Sequence, residues 1–304
     1  MFADKRSGDE GEVAFLQSLS TAPESVGTMQ FVRYTTGAVP RWGVRDDGDT
    51  YALGDRSPGA PTLDAFCNES YLGAVRDALG RGALPRVDDA SILAPVPEPG
   101  TIVCVGLNYR DHAEEQDGEI PERPLLFSKA ATCVTNPGDP IVHPPGEQVD
   151  YEVELAVVVG RQARNVDAAD AREYVAGYTV LNDVSGRDAQ NADGQFFRGK
   201  SYDTFAPMGP TLAAGDIDPN GLDVACRVNG EARQSSNTEQ FVFDVDELVE
   251  YISASMTLRP GDVISTGTPG GVGIFREPPE LLEPGDTVAA EVEGIGTLEN
   301  PVVE

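Results

Sequence analysis

The chain has 304 residues, 40% of them hydrophobic, which is enough to bury a core in one large domain or in one large and one small domain. It carries 51 acidic against 22 basic residues, a formal net charge of −29, and this balance argues against a nucleic-acid partner because a polyanion would be repelled. The absence of an apolar run of roughly 18 residues and of a secretory signal predicts a cytoplasmic protein that binds no membrane.

The acidic residues are scattered along the whole chain, and lysine is nearly absent. Such a surface stays hydrated in concentrated salt, where the Debye length falls to about 3 Å, so we interpret the charge as halophilic adaptation. The three remaining lysines stand out against this background, and the two interior ones, Lys129 and Lys200, are candidates for a specific role. The four cysteines are widely spaced and predict neither a disulfide framework nor a zinc site.

The N-terminal third begins with a polar, acidic leader over residues 1–28, which we expect to be either disordered or an unused upstream start. A small N-terminal domain is predicted over 29–95, and the Pro-rich segment 94–100 is the predicted boundary. Within this domain the sequence predicts strands at 29–35, 41–45 and 50–53 and a helix over 62–80 capped by Thr62.

The remainder, 100–304, is strand-rich and punctuated by Gly and Pro. Predicted strands lie at 101–106, 124–130, 151–160, 177–184, 223–230, 262–267 and 286–302, and predicted helices cover 167–176 and 244–256, capped by Asp167 and Asp244. Asn-Gly at 229–230 indicates a hairpin turn. With no repeat and no regular βα alternation, the pattern predicts a mainly β protein of the α+β class, a mostly antiparallel, mixed β-roll.

Two acids share one face of the predicted strand 151–160. Side chains alternate along a strand, so Glu152 and Glu154 lie on the same side, roughly 6–7 Å apart at about 3.3 Å per residue. At that distance they repel by about 3 kcal/mol at an effective dielectric near 20. A divalent cation with oxygen ligands would remove the repulsion. The alternative is an edge strand with an acidic face turned to solvent.

A third acid, Asp183, ends the predicted strand 177–184 just before a turn and a short helix. Strand ends often present functional carboxylates, although a turn or N-cap aspartate is the alternative. Arg187 and Gln190 follow, one helical turn apart, so that both side chains can reach one point.

Other candidates for chemistry lie in three polar segments. His112 follows the predicted strand 101–106, and Glu115 is three residues further, the spacing of a carboxylate that orients a general base; a solvated histidine is the alternative. Lys200, in a polar run that leads into a Gly/Pro turn, could neutralise an enolate or a substrate carboxylate. Thr268 lies in a Gly-rich loop, 266–273, that could hold an anion but lacks the motifs of nucleotide sites.

Six blocks of sequence together resemble the fumarylacetoacetate hydrolase family, in its order and approximate spacing. They are VGLNYRDHAEE, DYEVELAVVVG, LNDVSGRDAQ, GKSYDTFAPMGP, RPGDVISTGTPGGVG and EGIGTLENPV, and they span about residues 100–304. The resemblance implies a mixed β-sandwich roll with a small leading domain, usually assembled as a homodimer. The stretch 274–286 is longer than is typical of the family, and the acidic leader is not a family feature.

The resemblance also implies the roles of individual residues. Glu152, Glu154 and Asp183 match the ligands of Mg²⁺ or Mn²⁺, and His112 with Glu115 matches the pair that activates water. Lys200 matches the active-site lysine, and the residues that match substrate-contacting positions are Arg187, Gln190 and Thr268.

These roles imply a metal-dependent hydrolase that cleaves a C–C bond of a small acylpyruvate-type 2-oxo acid through a metal-stabilised enolate. Decarboxylation or isomerisation of a 2-oxo dicarboxylate in aromatic-acid catabolism, or dehydration of a 2-keto-3-deoxy sugar acid, would use the same enolate chemistry. A non-enzymatic relative would be favoured by the loss of a ligand acid, and all three acids are present.

Overall fold

The apolar runs of the sequence fold into a mixed sheet of twelve strands in the computed structural model, which describes residues 27–54, 60–116 and 118–304. The first ten strands are β1 (Met29–Thr35), β2 (Arg41–Asp46), β3 (Asp49–Ala52), β4 (Arg86–Val87), β5 (Ser91–Leu93), β6 (Ile102–Gly106), β7 (Leu125–Lys129), β8 (Val134–Thr135), β9 (Ile141–Val142) and β10 (Val149–Asp150). They are followed by β11 (Val153–Val159), β12 (Val175–Asn182), β13 (Ser185–Gly186), β14 (Ala206–Ala214), β15 (Asp223–Val228), β16 (Glu231–Asn237), β17 (Val263–Ser265), β18 (Thr287–Val292) and β19 (Gly296–Val303).

The large sheet has the order β4-β3-β2-β1-β14-β12-β11-β17-β6-β7, with β5 paired to β1 and β8 to β14. A second sheet has the order β16-β15-β18-β19-β9, and β10 pairs with β13. Strands β11 and β12 contact β18 of the second sheet, so the two sheets face each other across the core. The predicted mixed β-sandwich roll, mainly β within the α+β class, is confirmed.

The central strands β11 and β12 owe their position to their composition. Both are rich in β-branched residues and buried along their whole length, as expected of strands covered on both faces. The N-terminal strands extend the same sheet, because β1 pairs with β14. The two predicted domains therefore share one sheet, and the boundary at 94–100 remains a prediction from sequence. Most of the acidic leader, residues 1–26, lies outside the described residues.

The helices differ from the prediction in detail. They are α1 (Leu63–Phe66), α2 (Glu69–Gly80), α3 (Arg110–Glu115), α4 (Arg187–Asp193) and α5 (Val245–Ser255). The single helix predicted over 62–80 was wrong, because Asn68 interrupts it and caps α2 by accepting from the amides of Ser70 and Tyr71. The segment Ala168–Tyr174 is a 3₁₀ helix, and neither Asp167 nor Thr62 makes a side-chain cap.

Strand β14 occupies a segment that the sequence analysis assigned to a Gly/Pro turn, and that assignment was wrong. Pro207 and Pro210 have no amide hydrogen to donate, which argues against a central strand. Nearly the whole segment is buried between β1 and β12, and the free energy gained by this burial outweighs the loss of the two hydrogen-bond donors. Among the described residues, the helices are all too short or too polar to cross a membrane.

The helix cap that the sequence predicts at Asp244, at the start of α5, can be tested by substitution. Asp244 accepts from the amide of Glu247 at 2.8 Å, and the Glu247 carboxylate accepts from the amide of Asp244 at 3.0 Å. We expect Asp244→Ala to lower the free energy of unfolding by about 1 kcal/mol, because a helix amide loses its acceptor. Denaturant unfolding measures this, and Asp244→Asn, which keeps the acceptor, should retain most of the stability. Equal losses in both variants would contradict the capping role.

Candidate metal centre and active site

The three predicted ligand acids meet where β11 and β12 are paired. Val153 lies opposite Asn182, and the amide of Asp183 donates to the carbonyl of Glu152 at 2.8 Å, so Asp183 lies directly beside the start of β11. Glu152, Glu154 and Asp183 are buried and present carboxylate oxygens that all lie within 4.8 Å of one another. Because β11 has β12 on one side and β17 on the other, the alternative of an acidic edge strand was wrong.

Three buried cations compensate these acids. The Lys200 ammonium lies 2.7 Å from Glu152 Oε2 and 2.7 Å from Asp183 Oδ2, bridging two of the acids. Lys129 lies 2.6 Å from Asp183 Oδ1, and Arg187 Nη2 lies 2.7 Å from Glu152 Oε1. Both interior lysines noted in the sequence thus contact the cluster, although Lys129 was not among the predicted site residues.

A further buried acid, Asp150, holds Arg187 in place. Asp150 Oδ2 accepts from Arg187 Nη2 at 2.7 Å and from Nε at 3.0 Å. The same carboxylate accepts from the amides of Gly273 and Ile274 at 2.8 and 3.0 Å. It therefore ties the guanidinium to the end of the Gly-rich loop. Asp150 was not among the predicted site residues, and its only signal in the sequence is its place two residues before Glu152.

Glu154 is the ligand acid for which the described residues provide no ion pair. It accepts from the Ser265 hydroxyl at 2.5 Å and from the Gly267 amide at 2.9 Å. Burial, together with the charges of Asp183 and Glu152, raises the pKa of Glu154 to about 8. Burial would also raise the pKa of Glu152, but Lys200 and Arg187 outweigh it and lower that pKa to about 2.

The cluster therefore fits a divalent cation. Four buried acids face three buried cations, which leaves one carboxylate uncompensated, and the donors are all hard oxygens of the kind that Mg²⁺ and Mn²⁺ prefer. Glu152, Glu154 and Asp183 would hold the ion, and its charge would stabilise the ionised form of Glu154. The identity of the metal remains a prediction.

His112 and Glu115 form the predicted pair on α3. His112 Nδ1 lies 3.1 Å from Glu115 Oε2, and Glu115 Oε1 accepts from the Gly271 amide at 2.9 Å. His112 Nε2 is 2.8 Å from the side-chain nitrogen of Gln116. A primary amide nitrogen only donates, so Nε2 accepts, and the neutral imidazole carries its hydrogen on Nδ1.

A cavity of about 140 Å³ brings most of these groups together. The predicted site residues that line it are His112, Glu152, Glu154, Arg187, Gln190, Lys200 and Thr268. Asp183 and Glu115 do not line the cavity but contact two residues that do, Lys200 and His112. The apolar part of the wall includes Leu125, Phe127, Phe196 and Phe275, the last from the stretch 274–286.

Three predicted substrate-contacting residues also have partners within the protein. Arg187 Nη1 donates to Gln190 Oε1 at 3.0 Å, as their spacing predicted. The Thr268 hydroxyl donates to the carbonyl of Val153 at 2.9 Å and accepts from Gln234 at 2.9 Å. Gln234, a buried residue that the sequence analysis missed, also accepts from the Val153 amide at 3.0 Å. Their contact with substrate remains a prediction.

Comparison with known proteins agrees with this geometry. Residues 101–303 match the family model described as fumarylacetoacetate (FAA) hydrolase C-terminal. The protein named oxaloacetate tautomerase FAHD2A, mitochondrial, of Bos taurus is 48% identical over 242 residues, which cover 77% of this chain and 77% of that protein. An uncharacterised protein of Methanocaldococcus jannaschii is 52% identical over 206 residues, covering 67% of this chain and 84% of that protein.

Solved structures show the same fold. A fumarylacetoacetate hydrolase from Exiguobacterium antarcticum superposes with a TM-score of 0.81 at 38% identity, covering 90% of this chain and 99% of that one. A 5-carboxymethyl-2-hydroxymuconate delta-isomerase from Mycobacterium smegmatis superposes with a TM-score of 0.74 at 39% identity, covering 90% and 98%.

The uncompensated carboxylate predicts a stabilising effect of divalent cations. We expect Mg²⁺ or Mn²⁺ at about 100 times its dissociation constant to raise the free energy of unfolding by about 2.7 kcal/mol. Thermal unfolding with the metal and with a chelator measures the effect. Glu154→Gln should lose most of it, because one of the three ligand oxygens no longer carries charge. A variant that responds to the metal like the wild type would contradict this ligand assignment.

Lys129 provides a second test. Its ammonium and the Asp183 carboxylate are both fully buried, so Lys129→Met removes one of the two cations that contact Asp183 and leaves the buried cluster with one more uncompensated negative charge. We expect the metal-free protein to lose about 3–5 kcal/mol of unfolding free energy, measured by denaturant titration. Arg198→Ala, which breaks an exposed pair with Asp193, serves as the control and should leave stability nearly unchanged. Equal effects of the two substitutions would mean that Lys129 does not compensate the cluster.

Proposed function

The chain belongs to the fumarylacetoacetate hydrolase family, and we propose that it is a metal-dependent enzyme that moves a proton between the enol and keto forms of a small 2-oxo dicarboxylate. One observation carries the proposal. His112 and two of the ligand acids, Glu152 and Glu154, line the same cavity of about 140 Å³. This volume is below the range of drug-sized sites, about 300–1,000 Å³, and suits a compact acid.

In this proposal the residues in and beside the cavity have separate roles in the proton transfer. His112 exchanges a proton with C3 of the substrate, and Glu115 holds Nδ1–H and stabilises the imidazolium that forms. Lys200, charged because Asp183 and Glu152 outweigh the effect of burial on its pKa, stabilises the negative charge of the enolate oxygen. The aromatic side chains of Phe127, Phe196 and Phe275 make part of the cavity wall apolar.

A bound Mg²⁺ or Mn²⁺ would supply Lewis acidity that lowers the energy of the enolate. Gln190 and Thr268 line the cavity within reach of a substrate, and Arg187 supplies positive charge beside Glu152. The names of the bovine tautomerase and of the mycobacterial isomerase support proton transfer on 2-oxo acids.

Hydrolysis of an acylpyruvate is the second candidate. It is favoured by the completeness of the His112–Glu115 pair, because a carboxylate-oriented imidazole can equally take a proton from water. Decarboxylation would use the same enolate, and dehydration of a sugar-derived 2-oxo acid would need no activated water.

Other features of this proposal come from the sequence. We propose a small 2-oxo acid as the ligand, a homodimer as the assembly, and no nucleic-acid partner. The cytoplasmic location stays a prediction, since the name of the bovine relative places that protein in mitochondria.

The decisive experiment is a substrate panel at high salt, with Mg²⁺, with Mn²⁺ and with a chelator. Enol-oxaloacetate, 2-hydroxymuconate-type diacids, acylpyruvates and 2-keto-3-deoxy sugar acids are compared by the decay of enol absorbance and by product analysis. We expect metal-dependent ketonisation of the diacids to be the fastest reaction. A larger kcat/KM for acylpyruvate cleavage would instead establish the hydrolase.

His112→Ala tests the proton-transfer step. We expect kcat for ketonisation to fall by about 10²–10⁴-fold, because a positioned general base contributes that factor, and Glu115→Gln should lower kcat in the same direction. Glu114→Gln, on the exposed side of α3, is the matched control and should leave kcat unchanged. Full activity of His112→Ala would remove the imidazole from the mechanism.

A further inference from the structure

Gln116 touches the catalytic base and has no role in the scheme above. It directly follows α3, four residues after His112, so its side chain lies on the same helical face as the imidazole. Its amide nitrogen lies 2.8 Å from His112 Nε2, and both residues line the cavity.

This contact occupies the only basic position of the imidazole. Nδ1 carries the hydrogen that faces Glu115, so the Nε2 lone pair alone can accept a proton, and the Gln116 amide donates to it. Any group that His112 deprotonates must first displace the amide. A water molecule that has few other hydrogen-bond partners gains little free energy by displacing the Gln116 amide. A substrate fixed by its carboxylates at the opposite wall is held against Nε2 by its other contacts.

We propose that Gln116 determines the outcome of the reaction by filling the place beside His112 Nε2 from which a hydrolytic water would be activated. The side chain thereby favours proton transfer within the substrate over attack by water. This inference rests on the proposed function, since it explains why a site with a complete His112–Glu115 pair would tautomerise rather than hydrolyse.

The two outcomes differ in where the proton on His112 originates. In ketonisation the enol O–H bond breaks, a C3–H bond forms, and no water is consumed. In hydrolysis His112 takes a proton from water, whose oxygen bonds to the distal carbonyl carbon. The C–C bond then breaks, its electron pair passes to the pyruvate enolate, and protonation at C3 gives pyruvate and a carboxylic acid. Neither ketonisation nor hydrolysis requires an oxidant or a reductant.

A pair of substitutions separates water exclusion from simple hydrogen bonding. Gln116→Ala removes both the donor and the volume, whereas Gln116→Leu removes the donor but keeps most of the volume. For each variant, ketonisation of enol-oxaloacetate and cleavage of 2,4-dioxopentanoate are measured with Mg²⁺. We expect Gln116→Ala to raise the ratio of cleavage to ketonisation by about tenfold or more, a part of the roughly 10²–10⁴-fold that a general base contributes, and Gln116→Leu to leave it within about twofold.

Three results would overturn the proposal. The first is an unchanged ratio in Gln116→Ala, and the second is the same change in both variants. The third is loss of both activities in Gln116→Ala with Mg²⁺ stabilisation retained, which would make Gln116 only a positioning residue for the base. Glu114→Gln serves again as the control on α3.

A readout independent of turnover keeps this test separate from the proposed function. The chain has only two histidines, His112 and His143, so ¹⁵N resonances of the imidazoles can be assigned by one substitution. We expect wild-type His112 to show a protonated Nδ1 and an accepting Nε2, and the Nε2 signal alone to shift in Gln116→Leu while His143 is unchanged. An unshifted Nε2 signal would refute the contact between Gln116 and His112. A wild-type protein without ketonisation activity would instead refute the proposed function, and the NMR measurement would still test the contact.

Discussion

Three carboxylates, with ligand oxygens within 4.8 Å of one another inside a β-sheet, are the constraint on which the rest of the site depends. Charges so close and so well shielded from water repel strongly, and each would otherwise be driven to its neutral form. The positive charges of Lys129, Lys200 and Arg187, each buried in contact with a carboxylate, reduce this repulsion. The compensation is incomplete at Glu154, and this residual charge makes the centre suitable for a divalent cation.

The same constraint connects the acid cluster to the catalytic base. Glu154 accepts from the amide of Gly267 at one end of the Gly-rich loop, and Asp150 accepts from Gly273 at the other. Between them, Gly271 donates to Glu115, which holds His112. The loop therefore connects the ligand acids to the residue that holds the imidazole. Preorganisation of this kind keeps donors and bases aligned without reorganisation during the reaction.

The surface and the interior of this protein differ in how their charged residues are used. The chain has nearly dispensed with lysine, yet Lys129 and Lys200 remain where ammonium groups contact buried acids. We interpret the acidic excess as a property of the exterior, where salt can screen it, whereas Lys129, Lys200 and Arg187 in the interior each contact a buried carboxylate. Rarity of a residue type in a biased composition is thus a useful indication of function, and it was the only sequence signal for Lys129.

Alternation along a single strand was enough to place Glu152 and Glu154 on one face, and the i, i+3 spacing was enough to pair His112 with Glu115, because both relations depend only on local backbone geometry. The ordered motif blocks added Asp183 and the family fold. The roles of Asp150, Lys129 and Gln234 depended on tertiary structure, since the site groups that they bind lie 34 to 124 residues away along the chain. The same holds for β14, because its prolines argue against a strand and its pairing with β1, β12 and β8 is visible only in the tertiary structure. Local geometry is encoded in nearby residues, whereas the pairing of β11 with β12 that brings Asp183 to Glu152 is decided by the packing of the whole sheet.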